Sequence, residues 1–171
     1  MAVQRRGLTQ VLGLTEDNRM TPRNIEIFNR VVAVTLVKLY ESFPNPIDLR
    51  AEDIGHEAGE GFTDDIVEQF QLVMETAEST INFLAEEGFL RFDPHSRYLS
   101  GPQFPATRLT LNGFTLLGKV PEGVDATIDR RSFVDQLRDV AEESSKATAS
   151  SVVQSLFTNA IKLGAAAVGI G

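Results

Sequence analysis

The stretch from Thr76 to Gly118 constrains the fold more than any other part of this 171-residue chain. In its first half, apolar residues recur three and four positions apart, which places them on one face of a helix. This helix is predicted to end at Gly88, since glycine suits the left-handed position just past a helix end. Two short strands, Phe89–Phe92 and Thr107–Leu111, follow with a turn-rich loop between them. The stretch therefore predicts a helix, a strand pair and a capped helical turn.

The second strand of this stretch is defined by its alternation. Leu109 and Leu111 lie two positions apart and are predicted to share a buried face. Pro105, with a glycine and a proline shortly before it, is expected to keep its segment out of regular pairing. Either Thr110 or Asn112 can cap the short helix that follows. The predicted core residues are Phe28, Val32, Ile81, Leu84, Leu109 and Leu111.

Two motifs within the stretch resemble those of a known family. The run Leu109-Thr110-x-x-Gly113-x-x-Leu116-Leu117 resembles the L-T-x-x-G-x-x-L-L that ends the wing in bacterial winged-helix regulators of the multiple-antibiotic-resistance type. The run from Phe83 to Leu90 is similar to the exit from their recognition helix. The resemblance covers roughly residues 23 to 120. It implies a mostly α fold with a small antiparallel β-wing (α+β), and it implies DNA binding as the family's habit.

The rest of the chain is predicted to extend this winged-helix domain on both sides. Thr21 and Pro22 suit a helix start, with the threonine as cap and the proline at the first helical position. Ser132 is a plausible cap for a long C-terminal helix. The four predicted parts are an N-terminal arm (residues 1–20), a winged-helix domain (21–120), a linker (121–131) and a C-terminal helical extension (132–171).

The helices and the first strand of the domain are predicted from periodicity. The first helix is apolar nearly all round near its middle, from Val31 to Tyr40, which indicates a central, buried helix. Ile47–Leu49 is predicted to be a short strand that pairs with the wing. A second helix is expected to start near Arg50 and to fail around Gly59. The pattern over residues 64–87 fits either one continuous helix or two.

Charge is distributed unevenly along the chain, whose formal net charge is −8. Residues 63–90, which include the expected recognition helix, contain seven acidic residues and neither lysine nor arginine. Residues 91–120 contain three arginines and one lysine against one aspartate. The predicted partner-binding helix face consists of Glu75, Glu78, Ser79, Asn82 and Glu86. The residues of the basic wing, which would contact phosphates if DNA is bound, are Arg91, His95, Arg97 and Arg108.

No residue pattern in the chain predicts catalysis or a cofactor. The absence of cysteine excludes disulfides, thiolate metal sites and cysteine nucleophiles. The sequence starting at His56 resembles half of an H-E-x-x-H zinc motif, but Glu60 replaces the second histidine. We therefore predict a non-enzymatic protein without catalytic, cofactor-binding or metal-binding residues. A cytoplasmic location is expected because no apolar run near the start is long enough for a signal peptide.

Three functional interpretations follow. The leading one is an adaptor or regulatory protein that binds a protein partner and forms a homodimer through its C-terminal helix. The alternative is a DNA-binding transcriptional regulator, which the acidic recognition helix disfavours. The third is a membrane-acting effector that uses the apolar C-terminal tail, although polar residues interrupt that tail and argue against a transmembrane span. The residues predicted for self-association are Phe133, Leu137, Val140, Leu156 and Ile161.

Overall fold

The computed structural model describes residues 22–59, 66–94, 103–121, 130–142 and 146–168, with the side chains of 66–69, 146–148 and 165–168 excepted. Within these ranges the chain is mostly helical with a small antiparallel sheet, as predicted. The elements are α1 (Arg23–Ser42), β1 (Ile47–Arg50), α2 (Ala51–Gly59), α3 (Ile66–Glu86), β2 (Leu90–Arg91), β3 (Gln103–Leu109), α4 (Leu111–Leu117), α5 (Phe133–Glu142) and α6 (Lys146–Val168).

Helix α1 is the centre of the fold. It contacts α2, α3, α5, α6 and β3, and its side chains from Asn29 to Val37 are all buried, which confirms the predicted central helix. The helix begins one residue later than expected. Pro22 occupies the position before the first helical residue, and its carbonyl oxygen accepts hydrogen bonds from the amides of Ile25 and Glu26 at 2.9 and 3.1 Å. Thr21, the predicted cap, lies outside the described residues.

Helix α3 is one continuous helix, which answers the question that the sequence left open. Its end confirms the predicted role of Gly88, whose φ is +76°. The Gly88 amide donates to the carbonyl of Ala85 at 3.1 Å, and the Phe89 amide donates to that of Leu84 at 2.9 Å. This pair of bonds satisfies carbonyls that a helix end otherwise leaves without partners, and it turns the chain sharply into β2.

The three strands form an antiparallel sheet in the order β1-β3-β2. The predicted strand at Ile47–Leu49 is confirmed, and it pairs with β3. The expectation that Pro105 keeps its segment out of regular pairing is met in part, because β3 begins at Gln103 and includes Pro105 but pairs irregularly with β1 at this point. Ile47 pairs with Thr107 and Leu49 with Phe104, so β3 contains one extra residue at a bulge. A bulge tolerates proline, which lacks the amide that a regular ladder needs.

The alternation that predicted burial of Leu111 stops at Thr110. The hydroxyl oxygen of Thr110 accepts a hydrogen bond from the Gly113 amide at 3.0 Å and thereby caps α4. Leu111 is consequently the first residue of α4 and is 74% exposed, so its predicted burial is wrong. Phe28 is only half-buried. The other four predicted core residues are buried as expected: Val32, Ile81, Leu84 and Leu109.

The C-terminal part consists of two helices, α5 and α6, instead of the single long helix that was predicted. Ser132 caps α5 as expected, with its hydroxyl oxygen 3.3 Å from the Asp135 amide. Both helices pack against α1 and share its hydrophobic core. Four of the five residues predicted for self-association are buried in this core: Phe133, Leu137, Val140 and Leu156. They are unavailable to a second copy, because α5 and α6 both pack these side chains into the core of their own chain.

Candidate functional site

The outward face of α3 brings together the five residues predicted to bind a partner; we call it the acidic face. Glu75, Glu78, Ser79 and Glu86 are exposed, whereas Asn82 is half-buried. The Asn82 amide nitrogen donates to the backbone carbonyl of Glu78 at 3.1 Å, so one of its donors is used within the helix. The face therefore presents carboxylates, and the sequence supplies no cation between residues 63 and 90 to neutralise them locally.

A groove runs beside the acidic face, between the first turns of α1 and the middle of α3. This α1–α3 groove has a volume of about 430 Å³. Its apolar lining comes from Ile25, Phe28, Leu72 and Phe83, of which Ile25 is 40% exposed and the others are half-buried. The rings of Phe28 and Phe83 meet edge to face with their centroids 5.7 Å apart, which gives the groove a firm aromatic wall.

Most of the polar residues of the same groove lie on α3, and Asn24 at the start of α1 adds one more. Glu75 and Ser79 line it and also belong to the acidic face, so the two surfaces are continuous. Thr76 and Thr80 line it too, but their hydroxyls donate to helix carbonyls four residues earlier, both at 2.6 Å. Their protons are thus committed to the helix. An occupant of the groove would contact apolar side chains of both helices and the carboxylate of Glu75.

The predicted basic wing is described in part. Arg91 and Arg108 lie directly opposite each other in the β2–β3 ladder, and both are exposed. Neither forms an ion pair with another residue in the part of the chain that the structure describes. Like charges directly opposite destabilise a strand pair, so an anion between them would be stabilising. His95 and Arg97 lie outside the described residues.

A second groove, of about 460 Å³, lies between the end of α3, α4 and the C-terminal half of α6. Leu111 and Leu163 are its exposed apolar residues. Ile161, the fifth residue predicted for self-association, is 72% exposed on the neighbouring part of α6. Sequence reasoning missed this groove because it assigned Leu111 to the core. It missed the α1–α3 groove for a similar reason, since Phe28 was expected to be fully covered.

Within the described ranges, side chains suited to metal chemistry are not gathered together. His56 is exposed on α2, and the carboxylate of Glu57 pairs with the Lys38 ammonium at 2.8 Å. No group of three histidine, aspartate or glutamate side chains is placed to hold a metal ion among the described residues. Nor does any helix in the described ranges combine the length and apolar character needed to cross a membrane.

Comparison of this chain with protein-family models, with curated proteins and with solved structures finds no match.

Proposed function

We propose that this protein is a non-enzymatic winged-helix module that binds a basic, amphipathic segment of a partner protein. The winged-helix assignment is supported by the order of α1, β1, α2, α3, β2 and β3 along the chain and by the antiparallel sheet in which β3 is central. It is also supported by the N-cap at Thr110, which lies within the L-T-x-x-G run that resembles the family motif.

The observation that carries the proposed partner is the continuity between the α1–α3 groove and the acidic face. An amphipathic helix can place its apolar side in such a groove, with anchors three and four residues apart. Lysine or arginine on its flanks would then lie next to Glu75 and Glu78. Complementary charge raises the association rate and selects against acidic competitors. The groove supplies apolar contact, and the carboxylates favour basic segments over acidic ones.

The proposal is tested with two synthetic peptides that share one apolar stripe. One carries lysines on its polar face and the other carries glutamates. Binding is followed by fluorescence anisotropy of the labelled peptide. We expect the basic peptide to bind and the acidic peptide to bind at least about tenfold more weakly, which corresponds to roughly 1.4 kcal/mol. The preference for the basic peptide should shrink as salt is raised, because both charged surfaces are exposed to solvent.

Charge reversal on α3 locates the effect. Glu75→Lys combined with Glu78→Lys should lower the affinity for the basic peptide and raise the affinity for the acidic peptide. Glu142→Lys is the matched control, since it reverses one exposed carboxylate on α5. Equal affinity for the two peptides, or the same loss in the control, would refute the proposed site.

A DNA-binding regulator is the second candidate, and the opposed pair Arg91 and Arg108 is the observation that favours it. Two adjacent guanidinium groups can hold phosphate oxygens, but phosphate contacts carry no sequence information. The acidic face of α3 would repel the phosphate backbone on either side of a DNA groove. We therefore expect weak, salt-dependent duplex binding, no tighter than about micromolar near physiological salt.

A duplex titration at low salt tests this second candidate. Replacing both arginines by alanine should abolish the binding, whereas Lys162→Ala, which removes an exposed cation of α6, should not. Nanomolar protection of a defined DNA site by the unmodified protein would make DNA the primary partner instead.

Self-association would use a smaller surface than the sequence predicted. With four of the five predicted residues buried in the core, we propose that two copies of the chain pair through the exposed end of α6 around Ile161. Leu163, on the same turn, is 40% exposed and adds apolar surface there.

A further inference from the structure

The α1–α3 groove opens beside the point where the N-terminal arm joins the fold. Pro22 immediately precedes α1, and the groove is lined by Asn24 and Ile25, the second and third residues of that helix. The sequence has 21 residues before Pro22, and these lie outside the described residues. The groove is therefore a surface that the arm can reach from this junction.

The arm is long enough to lie along most of the groove. The groove follows α3 from Leu72 to Phe83, which is about 16 Å at the helical rise of 1.5 Å per residue. The eight residue steps from Leu14 to Pro22 can span up to roughly 26 Å when extended. As a helix, residues 5–14 would cover about 15 Å, so they can lie along most of the groove while the intervening chain makes the connection.

The chemistry of the arm complements the groove. Leu8, Val11 and Leu12 are spaced three and four residues apart, so a helical conformation would place them on one face. Arg5 lies three residues before Leu8 and would extend that face with a positive charge, with Arg6 beside it. The groove offers the opposite pattern, with an aromatic wall and the carboxylate of Glu75, next to the acidic face.

We propose that residues 5–14 of the chain bind in the α1–α3 groove of the same molecule. Leu8, Val11 and Leu12 contact the apolar lining, and the two arginines lie next to the carboxylates of Glu75 and Glu78. A segment this short is not a stable helix alone, so the groove must supply the stability. The docked arm is a basic, amphipathic segment of the kind we propose for the partner. The consequence that arm and partner compete rests on the proposed function, whereas the docking itself does not.

The absence of tryptophan from the chain permits a direct test. Leu12→Trp and, in a second protein, Leu8→Trp each place a single fluorophore on the apolar side of the arm. Gln10→Trp places one on the opposite side of a helix. We expect blue-shifted emission and several-fold weaker quenching by acrylamide for the first two, and strong quenching for the third. Using two apolar positions guards against a tryptophan that is itself too large for the groove.

Variants of the groove decide where the arm lies. Glu75→Lys combined with Ser79→Arg, both at exposed positions, should raise the quenching of the Leu12→Trp protein to the level measured in denaturant. Glu142→Lys should leave it unchanged. If the tryptophan stays protected from acrylamide in the groove variants, the proposal is overturned. Equally strong quenching at all three tryptophan positions would also overturn it. Protection that disappears on dilution would also overturn it, since the arm would then occupy a second copy.

These measurements require no partner, so their failure is distinct from failure of the peptide titration. If both proposals hold, Leu8→Asp combined with Leu12→Asp should release the groove and increase the affinity for the basic peptide several-fold. Unchanged affinity in that variant would show that the arm and the peptide do not compete.

Discussion

Gly113 illustrates how a single residue sets the junction between the sheet and α4. A Cβ at this position would lie 2.2 Å from the carbonyl oxygen of Phe89, a distance that no side chain can accept. The same carbonyl accepts a hydrogen bond from the Thr110 amide at 3.0 Å. The Thr110 hydroxyl donates to the Gly88 carbonyl at 2.6 Å. Thr110 and Gly113 therefore hold the start of α4 against Gly88 and Phe89, in the turn that follows α3. The family resemblance singled out these positions, but the close approach that requires glycine is visible only in the structure.

Replacing this glycine by alanine should be costly. The added methyl must displace backbone, so we expect Gly113→Ala to lower the free energy of unfolding by at least about 1–3 kcal/mol. Gly164→Ala is the matched control, because Gly164 is also helical and has no atom within 4 Å of the added carbon. That change should be neutral or stabilising by up to about 1 kcal/mol. Denaturant unfolding of both variants checks the difference, and similar values would contradict the described contact.

Among the helices and strands, α5 is the one whose apolar face was predicted without the surface that covers it. Its apolar stripe was recognised from Phe133, Leu137 and Val140, and all three are buried. Periodicity shows which face of a helix is apolar, but it does not show what covers that face. A second copy and the chain's own α1 were equally compatible with the pattern. The structure resolves this in favour of α1.

Leu137→Ala distinguishes a core position from an interface position. Truncating a fully buried leucine should lower the free energy of unfolding by about 2–5 kcal/mol. The unfolding midpoint of the unmodified protein and of the variant should show the same small dependence on protein concentration. If α5 formed a dimer interface, the truncation would weaken the dimer, and the variant would lose the concentration dependence that the unmodified protein shows.

Local signals predicted the ends of elements well, while tertiary relations were predicted less well. Gly88, Thr110 and Ser132 end or begin helices as expected, because their effects depend only on neighbouring backbone. The bulge that accommodates Pro105 depends on the partner strand β1, and Ala106 there has a φ of +49° with its amide donating to Asp48 Oδ1 at 2.8 Å. Such an arrangement has no signature within β3 alone.

The candidate site was predicted in composition but not in shape. The residues of the acidic face were identified from charge and helical spacing; four of them are exposed on α3, Asn82 is half-buried, and their role in binding stays a prediction. The groove beside them arises where the start of α1 crosses α3, which no single segment of sequence encodes. It leaves Phe28 half-buried, although this residue was predicted to lie in the core, and Phe83 beside it is half-buried too.

For the whole molecule, the main feature is the separation of charge between two neighbouring surfaces. The acidic face of α3 and the arginine pair of β2 and β3 follow each other in the chain and differ in sign. A partner with a basic segment would be attracted to the first surface and repelled by the second. Under the proposed function, this arrangement should orient such a partner as it approaches.

The most direct test of the proposed site is a map of the residues that respond to the basic amphipathic peptide. Backbone amide NMR signals are recorded for the full chain during a titration with the peptide. We expect the largest shifts at Ile25 and Phe28 of α1 and at Ser79 and Phe83 of α3, with the signals of Arg91 and Arg108 unchanged. Shifts concentrated on β2 and β3, or on the groove between α4 and α6, would contradict the proposed binding site.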